Sequence, residues 1–298
     1  MKKNVNQNDA LLVQKVSTNW LETHLKDESI ILIDTQPNVH DYIKEHIPTS
    51  VYLDGSTLRR TNNGMPATFA SANVMQSIFR QVGIQSDKIV VVYSGKGSFK
   101  GWGDGLEAFM VSYALARCGY DKIFILDGGI DKWKREQKPI SRVFPQIKSS
   151  QVTVNTQNQY AVTIDEVKRL KEKQNVMLLD ARPRSYYQGI SGPWIRNGHI
   201  PGAVNLPWKL FVDETNPFLL KPYHIIQSIL EKYQISKKKE IICSCGTGRE
   251  ATIEFVILNW FLNYPNVRLY EGSFTEWSAD PSNRVESQNS SSVQQRIM

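Results

Sequence analysis

At 298 residues, with 41% hydrophobic and 22% charged residues, the chain has the composition of a packed globular protein, neither charge-rich disorder nor an apolar membrane protein. Its length exceeds one ordinary domain of roughly 100 to 200 residues, so two domains are expected. The net charge of +7 favours anionic partners, yet the lysines are scattered and no nucleic-acid-binding signature is present, so a small anionic substrate is expected rather than nucleic acid.

The chain starts MKKNVNQNDALLVQ, basic but without a long apolar segment, and nothing later reaches the roughly 20 apolar residues that cross a bilayer. No membrane association is expected, and a cytoplasmic location is. From there the sequence runs through one set of elements and then repeats it. Ile31-Leu32-Ile33-Asp34 is answered by Met177-Leu178-Leu179-Asp180, and His46-Ile47-Pro48 by His199-Ile200-Pro201. Ile89 through Ser94 is answered by Glu240 through Cys245, and Leu126-Asp127-Gly128-Gly129 to Trp133 by Tyr270-Glu271-Gly272 to Trp277. These matches divide the chain into copies at 12–145 and 159–281, joined by a polar stretch near Pro145 to Gln159. The polar end, 282–298, reads as a disordered tail.

Within each copy, short β-branched runs alternate with helical patterns, the rhythm of a parallel β-sheet flanked by helices on both faces. Thr163-Ile164-Asp165-Glu166 fits a capping box that opens a helix, and Lys237-Lys238-Lys239 fits a solvated turn before a strand. After Cys245, Ala251, Phe255, Leu258 and Leu262 recur at helical spacing with further apolar residues between them, which predicts a buried helix. Trp133 and Trp277 read as core.

Of the three cysteines, Cys118 reads as packing, and an odd count with no framework excludes a disulfide scaffold. Zinc is not expected, because Cys243 and Cys245 have no nearby histidine or second cysteine pair to complete about four ligands. Cys243 shares a strand face with Cys245 and reads as a small core residue, with a resolving thiol as its alternative. Cys245 lies where an apolar strand ends and an apolar helix begins, the place where parallel sheets bind ligands. Gly246, Thr247, Gly248, Arg249 and Glu250 follow it, and two glycines let successive N–H groups turn inward around the sulfur. The helix start and Arg249 would lower the thiol pKa, so Cys245 is expected to be a thiolate at neutral pH.

In these residues, together with Asp180-Ala181-Arg182, Gly198-His199-Ile200-Pro201-Gly202-Ala203 and the Glu271 to Trp277 segment, the sequence resembles the tandem-domain rhodaneses, the thiosulfate and 3-mercaptopyruvate sulfurtransferases. The likeness covers roughly residues 12 to 280. It implies two rhodanese-like α/β domains, no cofactor, and transfer of sulfane sulfur through a persulfide on Cys245. The donor would be thiosulfate and the acceptor cyanide or a thiol, with mercaptopyruvate as the alternative donor. Arg182 corresponds to a substrate-binding arginine of the family, and Arg249 and the Gly246 to Glu250 backbone would help to hold an anionic donor.

The position of a second arginine in mercaptopyruvate enzymes falls near Tyr186, a departure from that type, whereas Gly246-Thr247 resembles it. Ser94 stands where Cys245 does, so the first copy should be catalytically silent, and its Gly95 to Gly105 loop reads as a domain contact. Two other functions compete. Phosphatases of related fold place an arginine six positions after the cysteine, where this chain has Ala251. A relay that passes the persulfide to a partner protein would leave no motif.

Overall fold

The computed structural model describes residues 12–98 and 104–288. The first domain begins with β1 (Leu12–Val16), α1 (Thr18–Thr23), β2 (Ile30–Asp34), α2 (Val39–Lys44) and β3 (Val51–Tyr52). A hairpin of β4 (Arg59–Asn62) and β5 (Met65–Phe69) follows, then α3 (Ala72–Gln81), β6 (Ile89–Tyr93), α4 (Leu106–Arg117), β7 (Lys122–Leu126) and α5 (Gly129–Arg135). The strand order β1-β7-β6-β2-β3 is parallel throughout, with the apolar Ile89–Tyr93 run at its centre, where both faces are covered.

The second domain repeats that topology with β8 (Ala161–Val162), α6 (Ile164–Leu170), β9 (Val176–Asp180), α7 (Arg184–Tyr187) and β10 (Val204–Asn205). It continues with α8 (Tyr223–Lys232), β11 (Glu240–Ser244), α9 (Ala251–Phe255), β12 (Val267–Tyr270) and α10 (Ser273–Ala279). Its order β8-β12-β11-β9-β10 corresponds strand for strand to the first sheet. The capping box of α6 forms as expected, Thr163 Oγ1 accepting from the Glu166 N–H and Glu166 from the Thr163 N–H. The helix after Cys245 is buried, and from Val256 to Phe261 it widens into a π-helix.

Alternation along the strands assigns each face. In the first domain Val91 and Tyr93 pack with Leu21, Ile130 and Trp133, while Val90 and Val92 face α3 and α4. In the second, Leu178 and Ile242 pack with Val167, Phe274 and Trp277, whereas Leu179, Ile241 and Cys243 face α8 and α9. The α4 and α9 sides merge into a single apolar cluster, so the two domains share a core. Polar ties close the same seam. Arg249 pairs with Asp104 and Glu107, and Glu271 accepts from Tyr113 and Arg117 of α4.

The β4–β5 hairpin forms a two-stranded sheet in the first domain, answered in the second by a single antiparallel bridge between Val212 and Leu220. It turns at Asn63-Gly64, both with positive φ (48° and 79°), the requirement of a two-residue hairpin turn. The chain past Ser282 departs from the expected tail. Glu286 bridges to His199 in antiparallel fashion, the Arg284 carbonyl accepts from the Trp277 indole, and Arg196 donates to the carbonyls of Ser278, Asp280 and Asn283. Backbone pairing with the His199 loop orders this segment despite its polar composition; residues 289–298 of the expected tail lie outside the described residues.

Candidate active site

Cys245 is the first residue after β11 and Ser94 the first after β6, so the two occupy equivalent ends of the two central strands. The Thr247 and Ala251 backbone amides act on the Cys245 thiol so as to favour its charged form. Gly248 makes the turn possible. Its φ is +78°, and a Cβ there would stand 2.4 Å from the Glu271 carbonyl oxygen.

A second segment fastens the loop from behind. The Phe274 N–H bonds the Cys245 carbonyl at 3.0 Å and the Thr275 N–H bonds that of Gly246 at 2.9 Å. Ser273 Oγ accepts the Cys245 N–H at 3.0 Å and donates to the Tyr270 carbonyl at 2.7 Å. Ser273 holds φ +52°, left-handed backbone that the equivalent Gly129 adopts at +58° in the first domain. A non-glycine residue there costs of order 1 kcal/mol, offset by the two hydrogen bonds of its hydroxyl.

Arg182 follows β9 and is fully buried beside the loop. Its Nε and Nη2 meet both oxygens of Asp180, at 2.9 to 3.1 Å and 2.5 Å, and Nη2 also donates to the Gly198 carbonyl. The guanidinium lies 4.1 Å from the Phe274 ring centroid and 4.9 Å from that of Trp194. Nη1 alone is without a hydrogen-bond partner among the described residues. Trp194 covers Gly246 closely enough that a Cβ there would lie 3.0 Å from the indole, and its N–H is fixed by Thr275 Oγ1 at 2.9 Å.

The structure differs from the expected thiolate. Complete burial pushes the Cys245 thiol up to about 11, and the charge of Glu250 adds to the rise; the Ala251 and Thr247 amides and Arg59 pull it back in part. Arg249 does not supply the expected cation, because its charge is taken by Asp104 at 2.7 Å and Glu107 at 2.5 Å. Glu250 is itself buried and pushed up to about 7. Arg184 is exposed at the start of α7, and Tyr186 meets Trp194 edge-on at 5.8 Å.

Cys243 is fully buried below Cys245, its thiol raised by burial, and Cys118 is raised by burial to about 12; all three cysteines are free. His199 is held structurally, its Nδ1 on the Tyr187 carbonyl at 2.7 Å and its ring stacked on Tyr187. Asp104 and Gly105 of the first domain's glycine-rich loop touch the second domain, as a domain-contact loop should, while 99–103 lie outside the described residues. The sequence reading missed Asp180, Trp194, Ser273 and Arg59. Asp180 lies in the recognised Asp180-Ala181-Arg182 run, and the Asn63-Gly64 turn signals the hairpin that bears Arg59. Trp194 and Ser273 reach the site only through tertiary packing.

The rhodanese-like domain matches residues 17–136 and again 163–280. A protein of Synechococcus elongatus named "Putative thiosulfate sulfurtransferase" is 33% identical over 274 residues, covering 90% of this chain and 83% of its own. The 3-mercaptopyruvate sulfurtransferase of Escherichia coli K12 is 28% identical, over 89% of this chain and 94% of its own. The crystal structure of the E. coli 3-mercaptopyruvate sulfotransferase SseA superposes with a TM-score of 0.77 at 26% identity, over 88% of this chain and 99% of that one. With the domain present twice and whole-length relatives of one enzyme class, the chain belongs to the rhodanese family as a tandem-domain sulfurtransferase.

Proposed function

We propose that the protein moves sulfane sulfur from thiosulfate to cyanide or a thiol through a persulfide on Cys245. The observation that carries this reading is the position of Cys245 at the end of the central strand β11, its loop fastened by Ser273, Phe274 and Thr275 and its charged form favoured by the Thr247 and Ala251 amides. Cys245 sulfur attacks the outer sulfur of thiosulfate, the donor S–S bond breaks, and its electron pair leaves with sulfite. The thiol proton leaves in the same half-reaction, ending on sulfite as bisulfite. Glu250, pushed to about 7 by burial, is the neighbouring carboxyl that ionises in the neutral range and is suited to pass that proton. Cyanide then takes the outer sulfur as thiocyanate and returns Cys245 as a thiolate, which regains a proton.

The unpartnered Nη1 of Arg182 is the donor suited to the sulfonate oxygens of thiosulfate, with the rest of its guanidinium held by Asp180. Thiosulfate is favoured over mercaptopyruvate by Tyr186, which packs on Trp194 where a second arginine would fall. Ser94 donates its hydroxyl to the Thr35 carbonyl at 3.1 Å and cannot carry sulfur, which makes the first domain silent.

The test compares thiosulfate and mercaptopyruvate as donors to cyanide, with Cys245→Ser as control and mass spectrometry of the donor-treated chain. Wild type should gain one sulfur, about 32 mass units, on Cys245 and turn over faster with thiosulfate. Turnover retained in Cys245→Ser, or sulfur found on Cys118, would overturn the assignment.

A further inference from the structure

We infer that Arg59, contributed by the first domain, is the cation that holds anionic sulfur at Cys245, so the domain without a cysteine completes the site of the other. The inference deepens the sulfur-transfer reading above and rests on it.

Thr247 links the two groups through a single residue. It stands two residues after Cys245 in the same loop, and its carbonyl accepts from Arg59 Nη2. Arg59 opens β4, and the hairpin fixes its side chain from both directions. Nε donates to the Ala67 carbonyl at 3.0 Å, Nη2 to the same oxygen, and the guanidinium lies 5.3 Å from the Phe69 ring centroid. Nη1 has only the Met110 thioether, at 3.8 Å, as a hydrogen-bond partner among the described residues. It therefore keeps a donor free for an incoming anion.

The other charges around the sulfur are already committed. Arg182 is paired with Asp180, Arg249 with Asp104 and Glu107, and Glu271 with Arg117. Glu250 and Glu254, on the helix that follows the loop, are driven towards their neutral forms by burial. Arg59 meets no carboxylate within ion-pairing distance among the described residues, although burial lowers it to about 10 and Cys245 is the group whose charge favours its cationic form most. Its partners in the structure are carbonyl oxygens and a thioether, which orient a guanidinium without neutralising it. A cation left uncompensated in a part-buried site interacts strongly with an anion that arrives there.

The experiment uses two alkylating reagents of similar size and different charge, iodoacetate and iodoacetamide, on the full chain, with modification of Cys245 followed by peptide mass spectrometry from pH 6 to 11. Arg59→Gln should slow alkylation by iodoacetate about tenfold more than alkylation by iodoacetamide, the factor of one pKa unit of charge interaction. It should also displace the rising limb of the rate–pH curve to higher pH for both reagents, and Arg59→Lys should restore most of both effects. A structural role would slow the two reagents equally, and that result, or an unchanged pH profile, overturns the inference. Wild-type chain that takes no sulfur from thiosulfate but keeps the Arg59-dependent preference for iodoacetate would sink the sulfur-transfer reading and leave the placement of this cation standing.

Discussion

Asp104 grips Arg249 at two points across the domain seam, Oδ2 accepting from Nη1 at 2.9 Å and Oδ1 from Nη2 at 2.7 Å. The loop that carries Cys245 is thus tied to the start of α4, and Glu107 accepts from the same guanidinium. Burial raises Glu107, while Arg249 works against the rise. Arg249→Ala removes the partner of two carboxylates and should cost about 1–3 kcal/mol in urea unfolding, with Asp104→Asn costing less because Glu107 still holds the guanidinium. Additive losses in the double variant would show that the two residues do not interact.

The thiol of Cys245, up to about 11, sets a pH dependence opposite to that of an activated cysteine. Its alkylation by iodoacetamide should keep accelerating above pH 9 rather than level off near neutrality. Glu250→Gln removes a nearby negative charge and should shift that profile to lower pH. Donor turnover should nevertheless fall in the same variant, because the carboxyl that ionises near pH 7 is lost. A faster enzyme at pH 7 would show that Glu250 only opposes the thiolate.

Ser273 separates backbone strain from hydrogen bonding. Ser273→Gly relieves the left-handed backbone and loses the hydroxyl, so its thermal midpoint should stay near wild type. Ser273→Ala keeps the strain and leaves the buried Cys245 N–H without its acceptor, a loss of about 1–3 kcal/mol. Equal midpoints for the two variants would contradict this division.

Glu254 is fully buried on α9, with no hydrogen-bond partner for either oxygen among the described residues, and burial raises it well above its ordinary value of 4.5. The folded state retains the proton that the unfolded chain gives up. Its contribution to stability is therefore complete below pH 4.5 and falls as pH rises, by up to about 1.4 kcal/mol per pH unit. Glu254→Gln has no such proton to lose, so its stability relative to wild type should rise between pH 5 and pH 8. Parallel curves in urea titrations at the two pH values would exclude a neutral Glu254.

Periodicity and punctuation made the repeat, the parallel sheets and the Cys245 turn legible. A β-branched run ending at Cys245-Gly246-Thr247-Gly248 admits few other backbones, and local sterics enforce that result wherever the rest of the chain lies. The match of Ser94 to Cys245 was likewise available from position alone, because equivalent strand ends occupy equivalent places.

Charge is a different matter. Arg249 sits beside Cys245 in sequence yet spends its charge on Asp104 and Glu107, while Arg59, 186 positions before Cys245, keeps its charge free near the sulfur. The chain by itself determined the fold, the duplication and the place of Cys245 at a central strand end, because those follow from short-range sterics and apolar patterning. Only the tertiary structure decided the electrostatics of the site and the ordering of Ser282 to Gln288. Burial and long-range pairing set both, and neither is encoded by neighbours in the sequence.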